Sequence, residues 1–200
     1  MSDKYLIFTR RGIKIEEYPA ILAHLEQFKA RLMPKPKGHS GDWGGRKEGT
    51  YLWYEIQDAV DYYPEFEQPK LIIPAIIKKP ETILDPNGRF SNDKTTIVAT
   101  DDMFVLAALN SRVVDFFMQN IASTKQNGYF EYKPVYISQI PIPHTDSTKK
   151  ALVTTLVTRI LSAKRASPQA DTSALEAEVD ALVYGLYGLT AEEIAVVEGR

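Results

Sequence analysis

KLIIPAII, residues 70–77, is the stretch on which the fold turns. Its β-branched residues predict a strand. Pro74 lies inside it and has no N–H to give to a ladder, so a sheet edge or a bulge is expected there. Asp85-Pro86-Asn87-Gly88 follows and predicts a turn: proline presets one backbone angle and glycine supplies the positive φ. Phe90 and TTIVAT (95–100) then read as the returning strand of a hairpin.

Working outward, YLIFT (5–9) and YLWYEI (51–56) are expected to be strands, and residues 128–140 are strand-like and bounded by proline, closing on Ile140-Pro141-Ile142-Pro143. Between the first two runs a helix is expected over 16–33. Tyr18, Ile21, Leu22, Leu25, Phe28 and Leu32 recur at helical spacing and predict one buried face. Pro34 and Pro36 stop it. A second long helix is expected over 101–121, with Phe104, Leu106, Leu109, Val113, Phe116 and Phe117 on a broad apolar face; Asn110 and Ser111 inside it predict bonds to local backbone.

After Pro143 the composition turns to Ala, Leu and Val at helical spacing. Ala151, Leu152, Leu156, Val157, Ile160 and Leu161 form one stripe, and Leu175, Val179, Leu182, Val183 and Leu186 another. Ser173–Glu176 and Thr190–Glu193 read as capping boxes, with Gly188 as a C-cap between them. The expected fold is therefore α+β. A mixed, mainly antiparallel sheet with flanking helices fills residues 1–143, and a helical subdomain follows over 144–200.

Composition narrows the function classes. Of 200 residues 44% are hydrophobic, enough for a buried core, and the net charge is −2, unlike a protein that coats nucleic acid without selectivity. Any DNA contact must come from local basic patches. There is no cysteine, and the three histidines (His24, His39, His144) have no ligand-like spacing, so neither a thiolate site nor a zinc site is expected. MSDKYLIFTRRG lacks the apolar core of a signal peptide, and the apolar runs are broken by Pro74 or by charge. A soluble cytoplasmic chain with no membrane partner is expected.

The chain has no phosphate-binding glycine loop, no dinucleotide fingerprint and no nucleophile elbow. The carboxylates between Glu55 and Glu67 lack a nuclease arrangement and read as a solvated acidic stretch; a small hydrolase built on them is the remote alternative.

The basic residues fall in three groups. Residues 29–47 carry Lys29, Arg31, Lys35, Lys37, Arg46 and Lys47 against a single acid, Asp42, and residues 34–50 hold five glycines beside Trp43. A flexible basic loop with free backbone N–H groups suits phosphate oxygens; it equally suits a solvated surface. The second group, Lys70, Lys78, Lys79, Arg89 and Lys94, lies on or beside the expected hairpin, where Lys70 and Lys78 share a face if the strand is unbroken. Trp53 in YLWYEI is either a core residue or a DNA contact. The third, Lys125 and Lys133, flanks Gln126 and Asn127, whose amides match adenine in a major groove.

YLWYEIQ (51–57), KLIIPAII, DPNGRF (85–90), TTIVAT, LAALNSRVVDFF (106–117), ISQIPIP (137–143) and the tail DALVYGLYGLTAEEIAVVEG (180–199), in this order, resemble the TaqI-like C-terminal specificity domain. That domain is found in restriction enzymes that fuse methyltransferase and endonuclease. The resemblance implies a module that reads double-stranded DNA for an upstream adenine-N6 methyltransferase domain using S-adenosylmethionine, with no catalytic residue and no cofactor in this fragment. The glycine-rich insertion at 38–49 departs from the family, so candidate DNA contacts rest on charge and position: Lys35, Lys37, Arg46, Lys47, Trp53, Lys70, Lys78, Lys79, Arg89, Lys94, Lys125 and Lys133. The alternatives are the specificity domain of a phage-defence methyltransferase without nuclease, or a protein-interaction module assembling through the C-terminal helices.

Overall fold

Pro74 marks the point where the KLIIPAII run divides. In the computed structural model, which describes residues 4–200, the run forms two strands, β1 (Lys70–Pro74) and β2 (Ile76–Ile77), in different sheets. The Ala75 N–H donates to Lys94 O at 2.8 Å, and Ala75 O accepts from the Tyr132 N–H at 2.9 Å. A proline closing β1 removes one donor, and the chain uses that break to change sheets.

The first sheet has the order β3-β1-β4, with β3 (Ile83–Asp85) and β4 (Thr95–Val98) both antiparallel to β1. KLIIPAII and TTIVAT pair antiparallel as expected, as β1 with β4, but β3 intervenes in the chain, so the Asp85–Gly88 turn does not join them as a hairpin. β3 and β4 sit on opposite sides of β1, and residues 86–94 cross from one to the other. Pro74 is not on an edge strand, because β1 is central; it pairs with Thr95 at the strand's end. The second sheet has the order β2-β6-β5, built with β5 (Thr124–Lys125) and β6 (Tyr129–Glu131), again antiparallel.

The chain separates into two compact units, Met1–Tyr63 and Pro64–Arg200. The composition boundary at 143 is not a break in packing. Val153, Leu156, Val179 and Val183 belong to the same buried cluster as Leu71, Ile73, Phe104 and Met118, so the C-terminal helices share one core with the rest of the second unit. These helices are α7 (Ser147–Ala166), α8 (Ser173–Tyr187) and α9 (Ala191–Val197). Gly188 closes α8 at φ 69°, and Thr190 and Glu193 form the capping box of α9. The first expected box, Ser173–Glu176, does not form. Thr172 is the N-cap of α8, and its hydroxyl donates to Glu176 without reaching the backbone.

The 101–121 helix is two helices, α4 (Met103–Asn110) and α5 (Arg112–Ile121), broken at Ser111 (φ −73°, ψ 158°). The Ser111 hydroxyl donates to Ala108 O at 2.7 Å and caps α5 at the Val114 N–H. Asn110 reaches further than local backbone: its Oδ1 accepts from Thr82 N–H (2.8 Å) and its Nδ2 donates to Thr82 O (2.9 Å). Ion pairs join the remaining helices, Lys150 with Asp102 at the start of α4 and Arg112 with Asp180 on α8. Two one-turn helices, α3 (Pro64–Glu67) and α6 (Pro134–Ile137), complete the second unit.

The first unit is held differently. Residues 16–33 form a 3-10 turn at Ile15–Glu17, then α1 (Pro19–Glu26) and α2 (Lys29–Leu32), interrupted at Phe28 (φ −112°, ψ 7°). The break removes the continuous stripe, and neither helix buries a residue. YLIFT and YLWYEI are not strands. Polar links set their shape: buried Glu55 accepts from Gly12 N–H (2.6 Å) and Leu52 N–H (2.7 Å), and Ile56 N–H donates to Thr9 O (2.8 Å).

Candidate nucleic-acid interface

In the first unit the basic loop is organised by Arg46. Its backbone bridges to Pro34, with Lys35 N–H donating to Arg46 O and Arg46 N–H to Met33 O, both at 2.9 Å. Its guanidinium donates to four carbonyls: Leu32 (2.7 Å), Glu55 (2.6 Å), Trp53 (2.8 Å) and Leu52 (3.2 Å), and lies 4.5 Å from the Tyr51 ring centroid. Arg46 is thus committed to holding the loop. A guanidinium with its fork filled by backbone has few donors left for a phosphate.

Its neighbours differ. Lys37 and Lys47 are exposed, with no ion pair among the described residues. Lys35 is half-buried and donates to Gly41 O at 3.2 Å. Trp43 Nε1 donates to Met33 O, and the Lys29 ammonium stands 4.9 Å from the half-buried Trp53 ring. A groove of about 690 Å³ runs between the 33–37 and 48–53 segments.

In the second unit Lys70 does not share a face with Lys78. It is 0% exposed, donating to Asp85 Oδ2 (2.6 Å) and Phe66 O (2.8 Å), so it is unavailable to a nucleic acid. Arg89 and Lys94 lie in the crossover over residues 86–94. The Arg89 side chain is 54% exposed with Nη1 3.7 Å from Asp85 Oδ1, and Lys94 pairs with exposed Asp93. Lys79 is exposed beside Pro80.

The second sheet gathers residues that are distant in sequence. Lys125 on β5 and Lys133 just after β6 both bond Glu131, at 3.0 and 2.9 Å, and Lys78 just after β2 stands 5.0 Å from the Tyr129 ring on β6. The two lysines hold the Glu131 carboxyl below the ordinary carboxylate range. These groups, three lysines with one carboxylate, carry a net positive charge.

Asp85 is the group that charge counting missed. It accepts from Lys70, from Arg89 N–H (2.7 Å) and from Asn87 N–H (3.1 Å). Burial pushes its carboxyl up, but these bonds and the Lys70 charge outweigh that and hold it below its usual value. The sequence signal was the aspartate opening an Asp-Pro-x-Gly turn, where such a side chain bonds the backbone two residues on.

A cavity of about 730 Å³ lies elsewhere in this unit, bordered by Thr82, Asn110, Asp115, Gln119 and Asp180. Burial pushes the Asp115 carboxyl up despite Gln119, Lys79 and Arg112, and its Oδ1 is buried without a hydrogen-bond partner. Among the described residues no cluster of histidine, aspartate or glutamate has the makings of a metal site, and no helix is long and apolar enough to cross a membrane.

The basic loop lies in the first unit and the lysine-bearing sheet in the second, and the sequence comparison identifies the family of the chain that carries both. The chain matches the TaqI-like C-terminal specificity domain over residues 1–142 and belongs to that family. Among solved structures it is similar to the type IIL restriction-modification enzyme MmeI, determined in complex with DNA. The TM-score is 0.60 at 14% identity, over 94% of this chain and 27% of that one, a likeness of fold. The chain thus spans about a quarter of that protein's length. No curated protein matches it.

Proposed function

We propose that this chain is the sequence-specific DNA-recognition module of a type II restriction-modification enzyme. Membership of a specificity-domain family over residues 1–142 carries this reading. MmeI, whose fold it shares, was solved with DNA. The chain supplies exposed cations in separate groups on an otherwise balanced surface: Lys37 and Lys47 on the first unit, Lys78, Lys125 and Lys133 on the second sheet. Such groups set a protein on the phosphate backbone while other side chains read base edges.

The module has no catalytic residue or cofactor of its own. An upstream domain of the same polypeptide, an adenine-N6 methyltransferase using S-adenosylmethionine, would carry the chemistry, and this chain would hold the duplex in register for it. A methyltransferase without nuclease would use the module in the same way. Assembly through the C-terminal helices is less favoured: most of their apolar stripes are buried against each other and against α4 and α5.

Fluorescence anisotropy of a labelled duplex over a salt series tests the proposal. Affinity should fall linearly on logarithmic axes, with a slope of about −0.9 per phosphate contact. Absence of binding to any duplex at low salt, for this chain and for the full polypeptide, would overturn it.

A further inference from the structure

β3 and β4 run parallel to each other on either side of β1, so residues 86–94 cross the sheet from the Lys70 end of β1 to the Pro74 end. The cross-strand register decides which face they cross. Leu71, Ile73, Leu84 and Val98 point into the helix-covered core. Lys70 and Asp85, direct partners, share the opposite face. The crossover lies on that face, anchored where the N–H groups of Asn87 and Arg89 donate to Asp85.

Four more contacts fix its path. Phe90 stacks on Phe66 with centroids 5.1 Å apart and planes 11° from parallel. Gly88 has φ 64°, and a Cβ there would stand 2.6 Å from Glu67 O, so only glycine fits. At the far end Asn92 Oδ1 accepts from Lys94 N–H, and Thr95 Oγ1 donates to Ser91 Oγ at 2.7 Å. Apart from Pro86, what remains on the outside is polar: Arg89, Asn87, Asn92, Asp93 and Lys94.

Charge separates this ridge from the basic loop. Lys94 is matched by Asp93, and Asp85 offsets one of its two cations, Lys70 and Arg89. A nearly neutral ridge attracts phosphate weakly. A rigid one carrying a guanidinium fork suits base edges, which reward fixed geometry and accept arginine on the two acceptors of guanine.

Building on the DNA-recognition reading, we propose that the 86–94 crossover is a base-reading ridge. Arg89 is its guanine-reading group, and the buried Lys70–Asp85 pair positions its backbone. Arg89→Ala removes the side chain and its 3.7 Å ion pair with Asp85 but keeps the backbone N–H bond to Asp85 that anchors the turn.

The test selects bound duplexes from a randomised pool with the parent chain, Arg89→Ala, Arg89→Lys, and the double variant Lys37→Ala/Lys47→Ala, and sequences the survivors. The parent should return a motif. Arg89→Ala should lose preference at one or two positions by about tenfold or more, yet still hold random duplex. Arg89→Lys should not restore it, because an ammonium lacks the fork. The double variant should weaken binding to all sequences and return the parent's motif. The ridge assignment is overturned if Arg89→Ala returns the parent's motif unchanged, or if it weakens every sequence equally as a phosphate contact does; either result leaves DNA recognition standing. A parent that binds duplex without a motif overturns both the ridge and the specificity, and one that binds none, with the full polypeptide binding none either, overturns DNA recognition itself.

Discussion

The Lys70 ammonium donates to the Asp85 carboxylate at 2.6 Å, and neither side chain is more than 2% exposed. Removing one member of such a pair leaves an uncompensated buried charge, which costs about 3–5 kcal/mol. Lys70→Met should therefore lower unfolding stability in urea by that order. Lys70→Met/Asp85→Asn should lose less, since asparagine carries no charge and its Oδ1 still accepts from the Asn87 and Arg89 N–H groups.

The same aspartate sets part of the acid response. Its folded pKa lies below the unfolded one, about 3.9, so its contribution is full above that value and is lost as pH falls through the folded pKa. The stability gap between the wild type and Asp85→Asn should be wide at neutral pH and close only in acid below the ordinary carboxylate range. Chemical denaturation at a series of pH values measures it.

Asp115 acts in the opposite sense. Burial raises its folded pKa, so the folded state is penalised above that pKa and relieved as pH falls through it toward the unfolded value. Asp115→Asn should raise Tm at neutral pH, and the difference should vanish below the unfolded pKa. An unchanged Tm at neutral pH would count against a buried, partnerless Oδ1.

Arg46→Ala should loosen the first unit, because each charge-assisted hydrogen bond contributes about 1.5–3 kcal/mol and four carbonyls lose their donor. Arg46→Lys should recover only part, as one ammonium cannot span four acceptors. Hydrogen exchange across residues 33–56 reads both. Lys37→Ala and Lys47→Ala should stay within about 0.5 kcal/mol in stability, and each should reduce the salt slope of DNA binding by about one.

Asn110→Ala should destabilise the second unit by about 1–3 kcal/mol, because the Thr82 backbone loses both partners in a buried position. Ser111→Ala removes a helix cap and should cost about 1 kcal/mol. Thermal unfolding compares the two, and equal effects would sink the assignment of Asn110 as a long-range clamp.

Where local chemistry dominates, the elements were legible. The glycine C-cap at 188, the Thr190–Glu193 box, the positive φ of Gly88 and the strand character of KLIIPAII follow from the residues concerned and their neighbours. The candidate interface was less legible, because charge is visible in a sequence and commitment is not. Arg46 and Lys47 are adjacent in a basic run, yet one is spent on four carbonyls and the other is exposed. Lys70 reads as a surface cation and is the largest fully buried side chain among the described residues.

The sequence by itself determined the α+β composition, the family, and the positions of most turns and caps, because these depend on backbone preference and on order along the chain. Only the tertiary structure decided how the strands pair, that Ala75 hands the chain from one sheet to another, and that the C-terminal helices share the core of the sheets. It also decided which cations remain available. Strand partners and ion pairs join residues far apart in sequence, and a long-range contact leaves no local periodicity to read.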